Sequence, residues 1–105
     1  MALNAKQTAF LGRVKEALEA HGLDPQHPKT LARELHVPVQ AIEEIMRLGV
    51  QSGDLVRAGE YVFSQATLAD LASRVSADLG PREFREQLGL SRSVADALFS
   101  ALRDD

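Results

Sequence analysis

The stretch TLARELHVPVQAIEEIMRLGVQSGDLVRAGEYVF, residues 30–63, carries the patterns that decide the fold. From Thr30 to Leu35 the apolar residues Leu31, Ala32 and Leu35 recur at helical spacing, and the short helix they mark runs into His36-Val37-Pro38. That triplet reads as a tight turn, because proline disfavours the helical conformation in Val37 and can itself open the next helix. The next helix spans Val39 to about Gln51, with Ile42, Ile45, Met46 and Gly49 on one face. Gly53 stops it by taking a positive φ and reversing the chain. Two β-prone runs follow, Leu55-Val56-Arg57 and Tyr61-Val62-Phe63, flanking Ala58-Gly59-Glu60. They read as a hairpin whose loop is too short to be a domain linker.

Upstream, Asn4 is a good N-cap for a helix in which Phe10, Leu11, Val14 and Leu18 recur at helical spacing. His21-Gly22 ends that helix, and Leu23 to Lys29, with Pro25 and Pro28, reads as a loop. The order helix, helix, turn, helix, hairpin is the plan of a winged helix. Downstream, Ser64 caps a further helix whose buried side holds Leu68, Leu71, Ala72 and Val75. Gly80-Pro81 breaks the chain, and Pro81 begins a short helix holding Phe84 and Leu88. After the turn Gly89-Leu90-Ser91, Ser91 caps a last helix with Val94, Leu98, Phe99 and Leu102 inward.

Sliding the chain against itself by 53 positions places Leu31 on Phe84, Leu35 on Leu88, His36 on Gly89, Val37 on Leu90, Pro38 on Ser91, Ile45 on Leu98 and Met46 on Phe99. Both copies read as short helix, three-residue turn with an apolar centre, longer helix. The apolar turn residue fills the space between two steeply crossing helices, as a helix-turn-helix requires. The expected fold is therefore mainly α with a small β-hairpin, built as tandem winged-helix or helix-turn-helix modules. Residues 1–64 form the first, a winged helix, and residues 65–105 the second, whose wing is absent or truncated.

Composition narrows the function. The 105 residues are 45% hydrophobic and 26% charged, enough apolar surface for a modest folded core. With no cysteine there is neither a disulfide framework nor a thiolate metal site, which is compatible with a reducing cytoplasm. The segment Met1 to Phe10 has no basic stretch followed by an apolar run, as a secretory signal would. No apolar stretch approaches the roughly 20 residues needed to span a bilayer. A cytoplasmic protein without a membrane partner is expected. His21, His27 and His36 lack the spacing of a metal-ligand set, and no nucleophile–base pair or glycine-rich phosphate loop is present. The expectation is no enzyme, no metal and no cofactor.

The net charge of -3 counts against broad, non-specific phosphate binding but leaves room for a few well-placed arginines. The first recognition helix exposes Gln40, Glu43, Glu44, Arg47 and Gln51, a face better suited to solvent or protein than to a groove. The second presents Ser91 and Arg92 at its start, where free backbone N–H groups favour a phosphate and arginine adds a bidentate donor. Arg82 and Arg85 on the preceding helix flank that surface. The plainer reading makes Ser91 an N-cap and the arginines surface charges balanced by Glu83, Glu86 and Asp96. Arg57 stands at the edge of the wing, and Tyr61 either stacks on a base or packs across the hairpin.

In Leu18-Glu19-Ala20-His21-Gly22-Leu23, in Thr30-Leu31-Ala32-Arg33-Glu34-Leu35, in Gly53 to Phe63 and in Phe84-Arg85-Glu86-Gln87-Leu88-Gly89-Leu90-Ser91-Arg92, the chain resembles the C-terminal tandem winged helices of bacterial selenocysteine-specific elongation factor (SelB). The likeness rests on order and spacing over most of the chain. It implies an RNA-binding module that anchors a translation factor to an mRNA hairpin, the selenocysteine insertion element. In that family the last winged helix makes the main RNA contacts through the start of its recognition helix and its wing. Ser91 and Arg92 match that start, whereas Ser93 and Val94 depart from the more basic and aromatic residues expected there. The family's Arg- and Gly-rich wing is absent, and so is the phosphate loop of its GTPase part. Structured RNA is the partner implied, with the ribosome or another protein as further partners. Two other readings compete: a protein-docking winged helix, which suits the acidic balance, and a DNA-binding regulator dimerised through Phe10 and Leu11, which the acidic first recognition helix disfavours.

Overall fold

The computed structural model describes residues 3–76 and 78–103. Its first helix, α1 (Ala5–Ala20), begins with a reciprocal cap: Asn4 Oδ1 accepts from the Gln7 N–H at 2.8 Å, and Gln7 Oε1 accepts from the Asn4 N–H at 2.9 Å. The second, α2 (Pro28–Leu35), starts before the Thr30 expected from sequence. Pro28 sits at its first turn, where a missing N–H costs nothing, and His27 Nδ1 accepts from the Lys29 N–H at 3.1 Å. A proline read as a loop signal is here a helix opener.

Helix α3 (Val39–Ser52) ends at Gly53, with φ 88°. Strands β1 (Leu55–Ala58) and β2 (Tyr61–Ser64) pair antiparallel, and Gly59 and Glu60 connect them. They are followed by α4 (Gln65–Arg74), α5 (Pro81–Leu88) and α6 (Arg92–Arg103). Ser64, fully buried, caps α4 by accepting from the Thr67 N–H at 3.1 Å. Val75, expected inside α4, lies just past its end in an extended conformation and is half-buried, while Ala72 is exposed. The stripe that α4 buries is narrower than its apolar spacing indicates, because only Leu68 and Leu71 reach the core.

The repeat read in the sequence is a repeat in space. Helices α2 and α5 both open on proline, Pro28 and Pro81, and both close on a left-handed residue, His36 and Gly89. The turn centres Val37 and Leu90 each pack against their own core. The first core holds Leu11, Val14 and Leu18 of α1, Leu31 of α2, and Ile42, Ile45 and Met46 of α3. The second holds Leu68 and Leu71 of α4, Phe84 of α5, and Val94, Ala95 and Leu98 of α6, with Phe84 and Phe99 meeting edge to face at 5.5 Å.

The hairpin belongs to both cores. Opposite residues of an antiparallel pair share a face, and successive residues alternate. Leu55, Arg57, Val62 and Ser64 therefore share one face, and Leu55 and Val62 join the first core. Val56, Ala58, Tyr61 and Phe63 share the other, and all four pack in or against the second core. Two helix-turn-helix units thus sandwich a single wing. Among the described residues, no helix is long and apolar enough to cross a membrane.

Candidate nucleic-acid interface

The start of α6 is set by the turn before it. The Ser91 carbonyl accepts from the Ala95 N–H at 2.9 Å, so the helix ladder begins at Arg92. Val94 and Ala95 are buried, while Ser91, Arg92 and Ser93 are exposed. The Arg92 side chain is 82% exposed, and its Nε lies 3.9 Å from Asp96 Oδ2. On α5, Arg82 is 80% exposed with Nε 3.4 Å from Glu86 Oε1. Arg85 is half-buried and, among the described residues, has no carboxylate partner within ion-pair distance. Exposed pairs spaced i, i+4 contribute only about 0.3–0.5 kcal/mol, so a phosphate oxygen can displace Asp96 or Glu86 at little cost. Helices α5 and α6, packed on each other, carry Arg82, Arg85, Ser91 and Arg92 on one unit.

Helix α3 is different. Its exposed residues include Gln40, Glu43, Glu44, Arg47 and Gln51, as the sequence indicates. Arg47 grips Glu44 through both Nε and a terminal nitrogen. That hydrogen bonding holds the Glu44 carboxyl below the usual carboxylate range and raises the Arg47 guanidinium above its own. The sole cation among those residues thus faces one carboxylate, and Glu43 adds a second acid to the same face.

Arg57 is set apart from the other candidates by strand alternation. It lies on the hairpin face that meets the first core, opposite Val62, in a cleft of about 490 Å³ shared with His27, Glu43, Glu60 and Tyr61. Two carboxylates in the same cleft oppose a phosphate there. Tyr61 takes the packing role: it faces Ala58 across the hairpin, lies against the second core, and its hydroxyl is 2.9 Å from Ser93 Oγ. Each histidine has a local structural place, with His21 paired to Glu34 at 3.0 Å, His27 capping α2 and His36 closing it.

The contacts of Ser93 and Ala97 with the hairpin were not legible in the sequence. A Cβ placed on Gly59 would lie 3.2 Å from the Ala97 Cβ, so the hairpin turn lies close to α6. The available signal was the hairpin itself: Val56, Ala58, Tyr61, Val62 and Phe63 are apolar on both faces, more than a one-sided wing needs.

No family model matches the chain, and no curated protein matches it in sequence. In fold it is similar to the mRNA-binding domain of elongation factor SelB from E. coli, solved in complex with SECIS RNA. The TM-score is 0.75, the match covers 97% of this chain and 88% of that one, and sequence identity is 17%. The likeness runs through both helix-turn-helix units and the hairpin between them, and this chain has a winged-helix fold, mostly helical with one small antiparallel sheet.

Proposed function

We propose that this chain is a non-enzymatic, cofactor-free module that binds structured RNA. The observation that carries this reading is the near-complete fold likeness to a domain whose solved complex holds an RNA. The start of α6 adds to it, with Arg92 and Ser91 exposed at a helix N-terminus, and Arg82 and Arg85 lie on α5 of the same unit. In its finer form the RNA is an mRNA hairpin of the selenocysteine-insertion kind, and the module serves a selenocysteine-specific elongation factor in the cytoplasm. Its role is to anchor that factor to the message, with the ribosome as the surrounding assembly. Few phosphate contacts are available, so affinity rests on shape and on a small set of arginines rather than on net charge.

The test is binding of the chain to a panel of RNA hairpins and to duplex DNA across a salt series. Hairpin-selective binding that weakens with salt is expected. Absence of binding to every hairpin at low salt would overturn the reading.

A protein-docking role is the second reading, and one observation favours it: Arg47, Arg74, Arg82 and Arg92 each face a carboxylate, in a chain of net charge -3. Duplex DNA is disfavoured by the acidic balance of the α3 face, where Glu43 and Glu44 stand against Arg47.

A further inference from the structure

A wing usually lies against its own helix-turn-helix and leaves its other face to solvent or nucleic acid. Here the other face is occupied. Ala58 and Phe63 are 1% and 2% exposed and lie in one core with Val94, Ala95 and Leu98 of α6. Two further contacts fall on one edge of α6. The Tyr61 hydroxyl is 2.9 Å from Ser93 Oγ, and the turn at Gly59 lies so near α6 that an added Cβ would come within 3.2 Å of the Ala97 Cβ. Ser93 and Ala97 are spaced i, i+4 and so stand one above the other. Arg92 and Asp96 form the neighbouring edge, about 100° round the helix.

The repeat supplies an internal comparison. Shifted by 53 positions, Ser93 and Ala97 correspond to Gln40 and Glu44 of α3. Those two are longer and exposed; of their counterparts Ser93 is short and exposed and Ala97 is half-buried. The edge that meets solvent in the first unit carries small residues in the second, where a hairpin lies on it.

We infer that the hairpin of the first unit is a clamp that sets the roll of α6, with Tyr61 as the positioning residue that fixes where Arg92 points. The inference rests on the RNA-binding reading for its functional consequence, but the clamp itself is a property of the fold. Rolling α6 about its axis swings the Arg92 side chain across the surface; Val94, Ala95 and Leu98 hold the helix in the second core, where Ala58 and Phe63 of the hairpin pack with them. The Tyr61–Ser93 pair and the close approach of the Gly59 turn to Ala97 resist it from the side. The first unit thereby contributes to binding without touching the ligand.

The experiment uses the whole chain with Tyr61→Phe, Ser93→Ala, the double substitution, and Ser93→Thr, which keeps a hydroxyl. Three quantities are read: the melting curve, amide hydrogen exchange and chemical shifts over residues 92–95, and affinity for the hairpin that the wild type binds best. The ring of Tyr61 stays in place in Tyr61→Phe, so melting should remain cooperative and within about 4 °C of wild type. Exchange of the Ala95 amide should rise in both single variants, and hairpin affinity should fall about fivefold in each, with no further loss in the double. Ser93→Thr should restore both readouts. Unchanged exchange and shifts over residues 92–95 in Tyr61→Phe would overturn the clamp. Raised exchange with unchanged affinity in a chain that binds RNA would overturn its role in binding. If the wild type binds no hairpin, the RNA reading falls, and the exchange data alone decide the clamp.

Discussion

His36 and Gly89 hold the same backbone conformation at the same place in the two helix-turn-helix units, with φ 58° and ψ 47° in one and φ 64° and ψ 31° in the other. Each closes its short helix by donating its N–H to a carbonyl four residues back, Ala32 in the first unit and Arg85 in the second. The left-handed closure is what lets α2 and α5 turn sharply into the helix that follows. One copy meets this requirement with glycine and the other with a residue that pays a steric penalty for it.

That asymmetry predicts opposite outcomes for two substitutions. The His36 side chain is exposed, so His36→Gly loses little contact and relieves the strain. Part of the relief is offset by the freedom glycine adds to the unfolded chain, leaving a gain of about 0.5 kcal/mol. Gly89→Ala should cost about 1 kcal/mol. Thermal unfolding of the two variants checks both signs.

Gly53 and Gly49 should both resist substitution, for different reasons. Nothing lies within 4 Å of a Cβ at Gly53, so Gly53→Val is penalised through its φ of 88° alone, by roughly 1 kcal/mol or more. A Cβ at Gly49 would lie 2.7 and 2.8 Å from atoms of Leu55 and 3.0 Å from Leu11, both buried. Overpacking of about 1–3 kcal/mol then outweighs the gain of about 1 kcal/mol in helix propensity, and Gly49→Ala should melt lower than wild type. A higher melting temperature for Gly49→Ala would show that Leu55 can move aside.

Ser64 is a buried cap rather than an exposed one. Its Oγ accepts from the Thr67 N–H at 3.1 Å and pairs with the Thr67 hydroxyl at 2.9 Å. Ser64→Ala removes the cap and leaves an amide unsatisfied where water has poor access, so a loss of about 1–2 kcal/mol is expected in denaturant titration. Ser64→Thr, which keeps the oxygen, should lose less unless its added methyl group clashes in a fully buried site.

Arg92 lies in the proposed interface and Arg57 outside it, which separates their expected effects. Arg92→Ala should weaken hairpin binding and reduce the salt slope by about 1, the signature of one lost phosphate contact. Arg57 shares its cleft with Glu43 and Glu60, on the hairpin face that meets the first core, so Arg57→Ala should leave both quantities unchanged. Equal effects of the two would place the RNA across the first unit as well.

The sequence by itself determined the helices, most of their bounds (the start of α2 and the end of α4 excepted), the hairpin and the repeat of 53 positions, because these signals are local. Asn4, Pro81, Gly53 and the apolar spacing of Ile42, Ile45 and Met46 act within about one helical turn of the residues they organise. It also singled out Ser91 and Arg92, since the start of a helix and its charges can be read in place. Only the tertiary structure decided that one hairpin serves two cores, that Arg57 faces away from α6 and that Tyr61 meets Ser93. The consecutive apolar residues Tyr61-Val62-Phe63 show that both faces of the hairpin are to be buried but not against what. The partners are 32 residues apart in the case of Tyr61 and Ser93, and a contact at that separation leaves no periodic trace in the chain.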